Sequence, residues 1–182
     1  MRSPWRQVHE LDAGRLVIDL PGDDDVLELV QLQRAVLAEG RWFITEADEY
    51  MDSLQLQRAT LRELQRQPNC IALVAKLDKR LVGLLKVTGG SLRRMRHVGK
   101  LEILVAEDAR GQGVGRKLLE AVLRWARENP HVLKLGLAVY AHNDRAIKLY
   151  ESAGFRREGY RKAEYQLRDG SLLDDVLMAI DV

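Results

Sequence analysis

Leu101-Glu102-Ile103-Leu104-Val105-Ala106 is followed, three residues later, by Arg110-Gly111-Gln112-Gly113-Val114-Gly115-Arg116. The first stretch is an apolar run of strand length, and a helical pattern begins near Val114. Three glycines in five positions let a backbone approach a ligand closely. The start of a helix adds N–H groups that have no intrahelical partner. Strand, glycine turn and helix start together predict an anion cradle, because the positive helix end, equivalent to roughly half a charge, favours a phosphate. Spacing excludes two common phosphate ligands. The dinucleotide pattern G-x-G-x-x-G fails because Arg116 stands where the third glycine belongs. The P-loop pattern G-x-x-x-x-G-K-[ST] fails because Gly115 is followed by Arg116, Lys117 and Leu118.

Arg110, Gly113 and Gly115 do satisfy [QR]-x-x-G-x-[GA], and this resembles the pyrophosphate loop of the GNAT acyltransferase superfamily. Farther on, Leu137, Ala138 and Val139 precede Asn143, Ala146, Leu149, Tyr150, Gly154 and Phe155, similar to that family's L-x-V and N-x-x-A-x-x-L-Y-x-x-x-G-F. The resemblance runs from about Arg15 to the C-terminus. It implies a single domain, 1–182, of α/β class: a central mixed, mostly antiparallel β-sheet flanked by helices, with one parallel crossover at the acyl-coenzyme A site. It implies an acetyl-CoA dependent N-acetyltransferase that acts on a primary amine of a small molecule (an amino acid, polyamine or amine antibiotic) by direct attack in a ternary complex. Two alternatives stand beside it: a protein N-terminal or lysine acetyltransferase, and a non-catalytic acyl-CoA sensor.

By the same resemblance, Arg110, Gly111, Gln112, Gly113, Val114, Gly115 and Arg116 form the pyrophosphate loop. Main-chain groups of Ile103, Leu104 and Val105 pair with the pantetheine arm where the central strand parts from the next. Asn143 and Ala146 complete the coenzyme side, and Tyr150 points at the sulfur. Tyr150 lies two helical turns past Asn143 and so shares its face. Trp42 and Phe43, with Tyr50, fall where the family places acceptor contacts, or else staple the early helices together.

The base that frees the amine has two candidates, Glu102 on the central strand and His97 at its start. The need for one depends on the acceptor. A lysine-like amine with pKa near 10.4 is neutral at pH 7 in only about four molecules in ten thousand, whereas an α-amine near 7.8 is neutral in about one in seven. Glu102 alternatively faces solvent or pairs with an arginine.

The 182 residues suit one domain and one core. Apolar content of 46% and charged content of 31% exclude disordered and membrane classes. No apolar run has the length of a membrane span, and residues 1–10, with Arg2, Pro4, Trp5 and Arg6, lack the apolar centre of a signal peptide, so a cytoplasmic address is expected. The single cysteine, Cys70, reads as a small buried apolar residue. His9, His97, His131 and His142 lack metal-site spacing, and no metal is predicted. The net charge of +2 offers little attraction for nucleic acid, and none is expected as a partner. Two basic clusters stand out: Arg93, Arg94, Arg96 and Lys100, and Arg156, Arg157, Arg161 and Lys162. Both read as solvated edges, or one screens ligand phosphates or steers an acidic substrate. A homodimer is left open.

Periodicity predicts a first strand at Arg15 to Leu20 and a helix from Asp23 to about Glu39, stopped by Gly40. Thr45 with Asp48 resembles a cap for a second helix, Glu46 to Gln67. A hairpin follows, Cys70 to Leu77 and Arg80 to Gly89, then the central strand at Val98 to Ala106. Val114, Leu118, Val122 and Trp125 mark the buried face of a helix that ends at Asn129. Leu133 to Val139 alternates as a strand, Asn143 caps a last helix that ends at Gly154, and a hairpin closes the chain through Asp169-Gly170.

Overall fold

The computed structural model describes residues 4–51 and 53–182. Eight strands form one sheet in the order β1-β2-β3-β4-β5-β6-β8-β7. They are β1 (Gln7–Leu11), β2 (Gly14–Asp19), β3 (Ile71–Leu77), β4 (Arg80–Gly89), β5 (Val98–Val105), β6 (Lys134–Tyr140), β7 (Arg156–Gln166) and β8 (Leu172–Asp181). Every neighbouring pair is antiparallel except β5 and β6. Four helices cover the sheet: α1 (Val26–Ala38), α2 (Leu54–Arg66), α3 (Val114–Glu128) and α4 (Asp144–Ser152). The single parallel pair needs a crossover, and α3 supplies it.

Alternation along the strands builds two cores. Leu73, Ala75, Val82, Leu85, Val87, Leu101, Leu135, Leu137 and Val139 pack with α3 and α4 on one face. Ala72, Val74, Leu81 and Leu84 pack with α1 and α2 on the other. The α3 stripe of Val114, Leu118, Val122 and Trp125 is buried as its spacing predicts. The β3–β4 turn at Asp78-Lys79 takes positive φ at both residues (47° and 75°), the geometry of a tight hairpin.

Two expectations fail near the N-terminus. The predicted first strand has a partner, β1, which pairs Gln7 with Ile18 through Leu11 with Gly14. As an edge strand, β1 keeps Val8 exposed and carries little apolar signal. The second helix does not begin at Glu46. Glu49 Oε2 instead accepts from the Glu46 amide at 2.9 Å in an isolated turn. Ser53 caps α2, its Oγ accepting from Leu56 N at 3.2 Å. The Thr45/Asp48 spacing imitates a cap, but Arg168, from the β7–β8 turn, forms ion pairs with both Glu46 and Asp48 and holds the segment as a loop. Asp52, within the expected helix, and Arg2 lie outside the described residues. Cys70 is half-buried just before β3, and its Sγ accepts from Gly89 N at 3.2 Å.

Gly99 sits where β5 meets β6. A Cβ there would stand 2.5 Å from Val87 Cγ1 and 2.9 Å from Leu135 Cδ2. Gly99→Ala is expected to cost about 1–3 kcal/mol through overpacking, read as a lower denaturation midpoint with an unchanged slope.

Candidate active site

β5 and β6 pair at only three positions, Val98↔Lys134, Gly99↔Leu135 and Lys100↔Gly136. β4 stays paired to β5 as far as Val105. The sheet therefore opens beyond Lys100, on the side of β5 that faces β6. Antiparallel pairing alternates, and Ala106 N donates to Val82 O while Gly90 N donates to Val98 O. The even-numbered residues of β5 thus spend their main-chain groups on β4, and Leu101, Ile103 and Val105 direct theirs at the opening. The main chains of Ile103 and Val105 are thus turned to the gap, whereas that of Leu104, expected to join them, is opposite Leu84 in the bonded register. Its side chain packs with the α1/α2 core instead.

The glycine turn lies at the end of this opening. Gly111 and Gly113 have φ of +84° and +87°, a region costly for residues with a Cβ. Lys117 N makes the first bond of α3, to Gly113 O at 3.0 Å. No acceptor among the described residues takes the amides of Gly111, Gln112, Gly113, Val114, Gly115 or Arg116. Gln112 closes the turn through its side-chain amide, which donates to Asp108 O at 2.7 Å. Gly115 serves packing: a Cβ there would meet Leu149 Cδ2 of α4 at 3.2 Å and lie 3.9 Å from Ile103 Cδ1. Arg145, which sequence reasoning missed, brings its Nη2 to 3.2 Å from the position a Gly111 Cβ would take. No carboxylate among the described residues pairs with Arg145, so its charge adds to the cradle. Its only signal in the sequence is its position two residues after the cap Asn143.

Arg110 is turned away from the cradle. Its Nη1 and Nη2 donate to both Glu39 oxygens at 2.7 and 2.6 Å, and Nε donates to Val105 O at 2.9 Å. The side chain ties the end of α1 to the end of β5 and caps the last free carbonyl of the opening. Asn143 is a helix cap, its Oδ1 accepting from Ala146 N at 3.1 Å. It fixes α4, which carries Tyr150. Tyr150 is only 6% exposed and packs against the Phe155 ring at 5.8 Å. Burial pushes its phenol well above the ordinary value near 10, so the hydroxyl stays protonated at any working pH. A cleft of about 350 Å³ runs between α3 and α4 beside the cradle, with Arg116 and Arg127 on its rim.

Glu102 points to the opposite, α1/α2 face, two residues past the last β5–β6 pair. Its carboxylate is engaged by Lys86 Nζ at 2.8 Å, a lysine where an arginine was expected. His97 lies far from the cradle. It precedes the eight-residue β5 at the opposite end, about 26 Å from Val105. On the same face as Glu102 lies an aromatic row that the sequence did not disclose. Trp42 stacks on His142 at 5.9 Å, His142 on Tyr140 at 5.6 Å, and Tyr140 meets Tyr165 edge-on at 5.5 Å. Trp42 thus lines this face, whereas Phe43 packs into the α1/α2 core.

Behind the row, Asp175 is 1% exposed and bonded to Arg161 Nε at 2.9 Å and to Tyr165 Oη at 3.1 Å. Strand register makes the row legible: Tyr140 pairs with Asp175, and Arg161 with Asp175, across β6, β8 and β7. Burial raises the Tyr140 phenol, with the Asp175 charge adding to the effect. Burial and the Asp175 hydrogen bond raise that of Tyr165. Among the described residues no group of three or more His, Cys, Asp or Glu is arranged to hold a metal ion. No helix among them is long and apolar enough to cross a membrane.

Comparison with known proteins agrees with this geometry. The L-amino acid N-acetyltransferase AaaT of Escherichia coli K12 is 29% identical over 138 residues, which cover 74% of this chain and 85% of that one. The [ribosomal protein bS18]-alanine N-acetyltransferase of the same organism is 40% identical over 80 residues, 44% of this chain and about half (53%) of that one. A crystal structure of a GNAT-family acetyltransferase from Streptococcus pneumoniae superposes with a TM-score of 0.88 at 27% identity, covering 92% of this chain and 99% of that one. Residues 35–155, more than half of the chain and all of the cradle, match the profile of the acetyltransferase (GNAT) family, and the chain belongs to that family.

Proposed function

We propose that this protein transfers the acetyl group of acetyl-CoA to the primary amine of a small molecule, by direct attack within a ternary complex. The parting of β5 from β6 beside six unpartnered amides carries this reading. The amides of residues 111–116 and the α3 dipole hold the diphosphate, and Arg145 adds a cation above Gly111. The peptide-like arm of the coenzyme pairs with the main chain of Ile103 and Val105 inside the opening. This places the thioester between the two faces of the sheet, with Tyr150 on one side and the aromatic row on the other. Tyr150 gives a hydrogen bond to the departing sulfur. Glu102, held by Lys86, supplies a negative charge that draws the acceptor's ammonium to the opening. An amino-acid acceptor is favoured by the relative AaaT, whose match spans most of both chains. The shorter match to the bS18-alanine enzyme supports a second reading, a protein α-amine.

Acetyl-CoA at saturation should raise the melting temperature, since it binds the folded state alone. Thiol release with a panel of amino acids, polyamines, aminoglycosides and an alanine-starting peptide then identifies the acceptor. Release with the peptide alone moves the assignment to protein acetylation, and binding without release leaves a sensor.

Two variants separate the donor site from the chemistry. Gly113→Val forces a β-branched residue into positive φ at the cradle and is expected to weaken acetyl-CoA binding by at least about tenfold, measured by calorimetry. Tyr150→Phe removes one directed hydrogen bond, worth about 1–2 kcal/mol. It should lower kcat about five- to thirtyfold with little change in coenzyme affinity. A fully active Tyr150→Phe enzyme would remove the leaving-group role.

A further inference from the structure

Three features lie outside the donor site: the basic β4–β5 turn at Arg93–Met95, the Arg168 clamp on Glu46 and Asp48, and the aromatic row around His142. The row alone joins a group able to carry protons to the opening in the sheet. Residues 135, 137 and 139 of β6 face α3 and α4. By alternation Gly136, Ala138 and Tyr140 face the other way, toward the acceptor. Gly136 is the last residue paired to β5, Ala138 is exposed beside the gap, and Tyr140 ends the strand. His142 lies two residues on, exposed, with its imidazole stacked between Tyr140 and Trp42. The next residue is Asn143, whose cap sets the helix that presents Tyr150. The two rings are thereby fixed relative to each other by one short loop and one helix.

We propose that His142 is the catalytic base, taking the proton from the acceptor's ammonium, with Trp42 and Tyr140 holding its ring at the mouth of the opening. The inference rests on the acetyl-transfer reading above. An ammonium bound there gives one proton to the unprotonated imidazole nitrogen. The free amine attacks the thioester carbonyl carbon, so a C–N bond forms and the C–S bond breaks. The surplus proton on nitrogen ends on the thiolate, and His142 returns its own to water. Protons and electrons balance with no further reactant. An imidazole suits the task because free histidine titrates nearest neutrality of the side chains. Glu102 suits it less, because its carboxylate would have to leave Lys86 first.

The charged groups around the ring are mostly neutralised in pairs. The loop bearing Trp42 carries Glu46 and Asp48, both paired with Arg168, together with Glu49 and the neighbouring Arg41. Behind Tyr140 lie Tyr165, Asp175 and Arg161, bonded to one another, with Glu164 paired to Arg161. Asp144 begins α4. The pH dependence of turnover should therefore follow His142 more than any of these groups.

The test compares wild type, His142→Gln, His142→Ala and Glu102→Gln across about pH 5.5 to 9, using thiol release with the amine that the panel identifies. Wild type should show an acidic limb in kcat/KM for the amine. Both His142 variants should lose that limb and about a hundredfold in rate at neutral pH, while keeping the melting shift given by acetyl-CoA. Glu102→Gln should keep the limb whatever its rate. A limb that persists without His142 overturns the proposal, even if the rate falls, because the ring then serves only as a wall. A limb lost in Glu102→Gln instead assigns the base to the carboxylate and overturns it as well. A wild-type chain that binds acetyl-CoA yet acetylates no amine sinks the transfer reading and this one together, whereas undiminished His142 variants sink this one alone.

Discussion

The site depends on one interruption of hydrogen bonding, the separation of β5 from β6 after Lys100 and Gly136. Buried main-chain groups need partners, and leaving one unmade costs about 1–3 kcal/mol. A sheet that opens in its middle is therefore a standing demand for a backbone-like guest. The opening has defined limits. Close contact at Gly99 holds the strands together at one end, and Arg110 caps Val105 O at the other. Arg110 is fixed in turn by both oxygens of Glu39, so the first residue after α1 helps set the length of the gap. That pair is largely shielded from water, and removing one partner would leave the other charge stranded.

The same strand serves two chemistries because its residues alternate. On β6, Leu135, Leu137 and Val139 anchor the sheet to the helices that hold the donor. Gly136 and Ala138 keep the reverse face open beside the gap, and Tyr140 then begins the aromatic row. A one-residue slip would exchange these sets, burying Tyr140 under α3 and turning the core leucines toward the acceptor. The pairing of β6 with β8 over seven positions, Lys134 through Tyr140, guards against this. That pairing also places Asp175 beneath Tyr140, where Arg161 and Tyr165 satisfy its carboxylate.

The donor half of the site is legible in the chain, and the acceptor half is not. A phosphate cradle is made of consecutive residues, so its glycines, its helix start and the capping Asn143 appear as spacing. Even there, the direction of Arg110 depends on Glu39, 71 residues away. The choice of Ile103 and Val105 over Leu104 depends on which edge of β5 faces β4. The proposed acceptor face collects Trp42, Glu102, Tyr140, His142, Arg161 and Tyr165 from four separate segments, and no local period links them. His142 reads alone as one of four scattered histidines. The Thr45/Asp48 pair misleads for the same reason, since Arg168 reaches those acids from 120 residues away.

The burial of Tyr150 bears on how the leaving group is handled. A free thiol titrates near 8.5 and a free phenol near 10, and burial separates the two further. Complete proton transfer from Tyr150 to the thiolate would therefore run uphill. A hydrogen bond from a neutral phenol carries no such cost, and its strength grows with the charge that develops on sulfur in a site shielded from water. In the proposed mechanism the transition state is stabilised by a side chain that stays neutral. In the proposed reaction the first proton change falls on the acceptor side of the sheet, where the nitrogen starts as an ammonium and must lose a proton before it can attack.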